Sequence, residues 1–192
     1  IYSILTLRNM KRLCLVLAFS LLCSPLLGLA QTGLTFSPES TIEVNGTSNK
    51  SDFKITAHQF SGTVNLEEGV PVSALLVISV SEMKSGSSMI MDRLMKGAFN
   101  ADENPDITFT MISADLVEGT TFDVQGTLTM AGVTNPVTLR LTSSQNEEGA
   151  IVFSGTSDLN MRDYEMDPPS AMFGALLTKP EVQIAFNLVL VP

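Results

Sequence analysis

The sequence predicts an all-β fold of roughly eight antiparallel strands with one short inserted helix. Three observations carry this expectation. Apolar and polar residues alternate with the two-residue period of half-buried strands in one run after another. Short turn signals separate the runs, and only the segment 89–99 follows a helical period instead.

Taken in order, Ile42 and Val44 alternate with Thr41 and Glu43 ahead of Asn45-Gly46, which reads as a turn. Asn45-Gly46-Thr47 also fits a glycosylation acceptor, but the turn is the preferred reading. Phe53, Ile55 and Ala57 alternate with Lys54, Thr56 and His58, and Phe60 opens a further piece through Val64 and Leu66. Leu75 to Val80 is almost wholly apolar, as for a strand covered on both faces. Met89, Met91, Asp92, Leu94, Met95, Ala98 and Phe99 then share a helical period. Ser87-Ser88 can cap that helix, and Asn100 with Asn104-Pro105 stops it. Ile107, Phe109 and Met111 return to alternation with Thr108 and Thr110.

The clearest hairpin follows. Phe122, Val124, Leu128 and Met130 alternate with polar residues up to Ala131-Gly132, after which Val133, Val137, Leu139 and Leu141 restart the period. Ile151, Phe153 and Leu159 form the next run around Gly155 and Ser157, and Pro169 to Phe173 suits a short helical turn. The last run sets Val182, Ile184, Phe186, Leu188 and Leu190 against Gln183 and Asn187. Periodicity alone is satisfied by either a sandwich or a closed barrel. Closure removes edge strands, and about eight strands enclose just enough room for side chains or one slender ligand.

The first thirty residues read as a leader for export rather than as part of this fold. Met10-Lys11-Arg12 is a basic start, Leu13 to Leu22 an apolar core, and Gly28-Leu29-Ala30 a small-residue cleavage site before Gln31. Ile1 is an unusual first residue, which makes Met10 a candidate start. The apolar run is too short for a membrane-spanning helix. Both cysteines, Cys14 and Cys23, fall in this leader, and Leu22 is too large for Cys23 to be a lipidation site. Residues 31–192, a single domain, would therefore hold no thiol, disulfide or cysteine metal site. They carry 8 Lys and Arg against all 20 Asp and Glu, a net charge of −12. Such a surface repels phosphate backbones and anionic membranes, which excludes nucleic acid as a partner.

The hairpin is specific in wording as well as pattern. Gly126 to Val137 spells G-x-LT-x-x-GVT-x-PV, and this resembles the corresponding hairpin of the YceI-like family. Val44-Asn45-Gly46-Thr47-Ser48 with Asp52-Phe53, Met83-Lys84-Ser85-Gly86 with Met91-Asp92 and Leu94-Met95-Lys96, and Asn104-Pro105-Asp106-Ile107-Thr108-Phe109 resemble further family blocks. So do Met161-Arg162-Asp163-Tyr164 and Pro168-Pro169 with Met172-Phe173-Gly174. The likeness spans about residues 36–191. It departs at Ser51, where histidine is usual, and at Phe53, where tryptophan is common.

The resemblance implies an extended, lipocalin-like antiparallel barrel exported to the periplasm, with a long isoprenoid or quinone-type lipid in its lumen. Residues chosen for phase and bulk as its lining are Phe53, Ile55, Val77, Leu94, Phe99 and Phe109, then Phe122, Val124, Phe153, Phe173, Ile184 and Phe186. Burying an isoprenoid of about fifty carbons removes on the order of several hundred Å² of apolar surface from water, at about 25 cal/mol per Å² before ordering costs. Arg162 and Tyr164, with Asp163 between them, are the rim candidates for a polar head group. A salt bridge from Arg162 to Asp163 or Glu165 is the plainer role.

Other chemistries find less support. Met89-Ile90-Met91 invites Cu(I), but the methionines at 83, 91, 95, 111 and 172 sit among apolar residues, where flexible side chains fill irregular space. His58 is the one histidine and lacks a partner motif for catalysis. Asp163, Glu165 and Asp167 begin like a calcium loop, but Pro168 stands where a glycine turn is needed. The expectation is an exported, non-enzymatic lipid-binding protein without metal or cofactor, not embedded in the membrane, with a homodimer left open. The competing expectation is an exported interaction module with a filled core.

Overall fold

The computed structural model describes residues 33–57, 59–86 and 89–192, without the Met172 side chain. The proposed leader with both cysteines, His58, and the Ser87-Ser88 cap lie outside the described residues. The strands are β1 (Thr35–Phe36), β2 (Thr41–Ser48), β3 (Asp52–Ala57), β4 (Phe60–Glu67), β5 (Val70–Ser79) and β6 (Met83–Lys84). After helix α1 (Met89–Ala98) come β7 (Asp106–Glu118), β8 (Thr121–Met130), β9 (Val133–Gln145), β10 (Ile151–Asn160), β11 (Ser170–Ala171) and β12 (Leu176–Val191).

Ten of these twelve segments make eight strands of a ring, with β6 and β11 as short additions on β3 and β12. β1 and β2 run in succession along the same edge of β12, so they are one strand bent once. β3 and β4 are likewise one run, the first half paired with β2 and the second with β5. From there antiparallel pairing passes through β5, β7, β8, β9, β10 and β12, and so back to β1 and β2. Leu34 and Val64 exchange both backbone bonds at 2.8 Å and complete the circuit. No long strand keeps a free edge along its full length, the outcome that closure provides.

The bend between β1 and β2 shows how closure is kept satisfied. There Ser40 is buried; its hydroxyl donates to the Val189 carbonyl at 3.1 Å and accepts the Val189 N–H at 2.9 Å. A side chain thus replaces ladder bonds where the backbone turns away. At the β8–β9 turn, Ala131 and Gly132 have φ of 51° and 83°. Two successive positive φ values define the hairpin geometry that matches strand twist.

The barrel has two unlike ends. The upper end holds the β2–β3 and β8–β9 turns, the connection carrying α1, and the segment between β10 and β12. The lower end holds the β4–β5, β7–β8 and β9–β10 turns. Ile42, Ile78, Val80, Met83, Met95, Phe99, Ile107 and Tyr164 form the upper core, which seats the C-terminal half of α1. Val64, Phe122, Phe153, Leu141 and Leu190 form the lower core.

Three expectations change. Asn45-Gly46 is not a turn but the middle of β2, paired with Lys54 and Phe53, and the chain reverses at 49–51. Leu75 to Val80 is not covered on both faces, because Leu75 is exposed on the outside. Pro169 does not open a helical turn; it precedes β11, and the turn is Met172–Gly174 with Phe173 at φ 55°. A further 3-10 turn, Met161–Tyr164, had no clear sequence signal.

Candidate functional site: an apolar lumen

Inward side chains of the eight strands do not meet at the barrel axis. Between them lies a cavity of about 210 Å³ that runs from Pro71, Val64 and Leu141 at the lower end to Phe53, Met91 and Pro169 at the upper. Its walls carry no charged side chain, and Ser85, Ser157 and Thr178 supply its hydroxyls. Water needs two to four polar partners to settle in a buried space, so this one favours apolar matter.

At the lower end Val64, Pro71, Leu141 and Phe153 are buried, with Phe36 and Ala74 half-buried beside them. At the upper end Phe53, Ser85, Met91, Leu94, Pro169 and Thr178 are only half-buried and border the mouth. Helix α1 overhangs that mouth, with Met91, Leu94, Met95 and Ala98 facing the lumen. Its first turn is tied to the barrel: Asp92 accepts both the Ser85 N–H and the Ser85 hydroxyl at 2.8 Å. Those two bonds, the backbone one foremost, hold the Asp92 carboxyl below its ordinary range.

Glycines shape the upper walls. The phenyl ring of Phe53 lies over Gly46 of β2, and that of Phe186 over Gly155 of β10, each opposite it in register. The Phe109 ring covers Gly126 of β8 in the same way. Each ring can approach its glycine this closely because there is no Cβ to hold it off.

Of the residues chosen from sequence, Phe53, Ile55, Leu94, Phe99 and Phe109 border the cavity, as do Val124, Phe153, Ile184 and Phe186. Phe122 points inward but belongs to the lower core beneath it. Val77 is out of phase: its neighbours Leu76 and Ile78 face the lumen, and an unbroken apolar run hides the phase. Phe173 is fully exposed at 112%, held outward by its left-handed backbone. Leu128, Leu139 and Leu188 also border the cavity and share the phase of the residues expected from sequence. Ser85, Pro169 and Thr178 gave no periodic signal.

The rim candidates separate. Arg162 is exposed, and neither ion pair among the described residues, Lys54–Glu43 and Arg140–Asp123, involves it. Tyr164 is buried in the upper core rather than displayed on the rim, and burial, followed by the Asp163 charge, raises its hydroxyl pKa. Asp163, Glu165 and Asp167 are all exposed. Met83, Met91, Met95 and Met111 line the lumen. Among the described residues no group of three His, Cys, Asp or Glu could hold a metal, and no helix is long and apolar enough to cross a membrane.

The described residues form an up-and-down β-barrel around an apolar lumen. The sequence model of the YceI-like domain matches residues 31–190, and the chain belongs to the YceI-like family. No curated protein matches its sequence. Among solved structures it is similar to BcnA of Burkholderia cenocepacia, at 21% identity and a TM-score of 0.70 over 80% of this chain and 98% of that one. It is also similar to a polyisoprenoid binding domain of Saccharophagus degradans implicated in plant cell wall breakdown, at 16% identity and TM-score 0.65 over 82% and 97% of the two chains. A Campylobacter jejuni YceI protein matches at 17% identity and TM-score 0.59 over 76% and 84%. At these identities the likeness is one of fold.

Proposed function

We propose that this is an exported binding protein that holds a long-chain isoprenoid, or a lipid as slender, in the barrel lumen. The carrying observation is the cavity of about 210 Å³ walled by apolar side chains. At about 24 cal/mol per Å³, a space of that size with nothing in it costs on the order of 5 kcal/mol. That is comparable to the whole stability of many domains, and an apolar guest recovers it. The Saccharophagus degradans neighbour, a polyisoprenoid binding domain, supports the ligand class. The leader-like residues 1–30 support export to the periplasm or beyond, with cleavage after Ala30 and a mature chain of 31–192.

The mechanism is sequestration. Strand residues of one phase bury the tail, and among the described residues the lining offers three hydroxyls and no charged group. The interaction-module alternative requires a filled interior, which the cavity disfavours. Thermal unfolding before and after solvent delipidation separates the two readings. Delipidated protein should melt lower by roughly 10–20 °C, given about 2–4 °C per kcal/mol at this size, and recover with an added long-chain polyprenol. An unchanged midpoint contradicts the proposal.

A further inference from the structure

The wall between β9 and β10 has no ladder bonds in its upper half, where the 3-10 turn Met161–Tyr164 packs between the two strands. The two strands pair only from Ile151↔Gln145 to Thr156↔Arg140. Above that, β9 stays on β8 as far as Val133, and β10 stays on β12 as far as Asn160, so their facing edges part. Pro136, which has no N–H for a ladder bond, sits in the parted stretch. Outside the gap lies a polar cleft of about 560 Å³, bordered by Asn135, Ser157, Asp158, Asn160, Asp163 and Tyr164. Val137, Ser157 and Leu159 border both this cleft and the lumen, so the partition is one side chain thick.

We infer that this gap is a side portal, and that the cleft takes the uncharged, hydrogen-bonding head group of the chain held in the lumen, of hydroxyl or carbonyl type, and disfavours a phosphate head. The inference rests on the lumen-binding reading above. The cleft is built of fixed polar groups. The Asn135 Nδ2 donates to the Asp163 carbonyl at 2.7 Å, the Asn160 Oδ1 accepts the Arg162 N–H at 3.0 Å, and Asp158 accepts from Gln183 Nε2 at 3.1 Å. The Asn160 amide N–H groups and the Ser157 hydroxyl remain for a ligand. Asp158 and Asp163 are the charged residues of its border, and no Lys or Arg belongs to it. Two carboxylates repel a phosphate while accepting bonds from a hydroxyl. Tyr164, its hydroxyl pKa raised, stays a protonated donor at neutral pH.

The chain has no tryptophan, so in a full-length Tyr2→Phe variant Tyr164 is the only tyrosine and its emission reports on the cleft. Farnesol and farnesyl diphosphate share a tail and differ in head. Calorimetry should show farnesol binding at least about tenfold tighter, with a saturable change in Tyr164 emission. Replacing Asp158 and Asp163 by Asn should narrow that ratio severalfold and leave farnesol binding within about twofold. The wild-type ratio is informative whether or not the variant folds. Equal binding of both probes, or farnesol binding that leaves Tyr164 emission unchanged, overturns the portal and spares the lumen reading. Binding of neither probe overturns both.

Discussion

At Gly155 a single absent carbon atom shapes the site. A Cβ there would stand 2.3 Å from the Arg140 carbonyl and 2.8 Å from the Phe186 ring. Backbone cannot yield as a side-chain tip does, so Gly155→Ala should lose about 1–3 kcal/mol in denaturant unfolding. Wild-type stability in that variant would show that the ring does not rest on the glycine. The same logic explains a misreading. Asn45-Gly46 carries the strongest short turn signal, yet Gly46 is needed so that the Phe53 ring can approach β2. A glycine kept for close approach and one kept for a turn look alike in sequence. Phe53 and Phe186 were legible because alternation gives phase. Val77 was misplaced because its run does not alternate, and the left-handed turn that turns Phe173 outward had no sequence mark.

Helix α1 owes its position to one acid at its start. Asp92 joins the helix to the Ser85 backbone and hydroxyl, and its carboxyl is held below the ordinary value of 3.8. A depressed carboxylate contributes stability above its unfolded pKa and loses it as pH falls through the lower folded value. Asp92→Asn should therefore lower the melting midpoint at pH 7, and the difference from wild type should shrink as the pH falls below the ordinary carboxylate value. A constant difference across that range would assign the effect to shape rather than charge. The helix itself was legible from its period, whereas its tether was not, since Ser85 lies seven residues away. Just past the end of α1, Phe99→Ala should cost about 3–5 kcal/mol, because Phe99 is buried in the upper core; calorimetric unfolding reads it directly.

The whole molecule follows from closing eight strands around a space too narrow for a second layer and too wide for its own side chains. The long strands were legible because each long run announces itself, and the resemblance pointed to a barrel over a sandwich, though the chain divides into more segments than the expected eight. The short β1 and the bend after it were not, since Thr35-Phe36 is too brief to show a period, whereas the break between β3 and β4 was, because Phe60 opens a separate piece. The parting of β9 and β10 left only Pro136 as a hint. If the lumen holds the ligand, filling it from the wall should expel that ligand without unfolding the barrel. Ile184→Trp, placed against the cavity, should reduce co-purified lipid severalfold while keeping a cooperative melt. Loss of the fold alone would leave the barrel without tolerance for a filled axis and count against a roomy lumen. The most direct test is mass spectrometry of an organic extract from the protein purified after export, paired with its native mass. The lumen account predicts one isoprenoid or similarly slender lipid per chain, lost together with the native mass increment on delipidation. An extract without lipid, with a native mass equal to the bare chain, would contradict it.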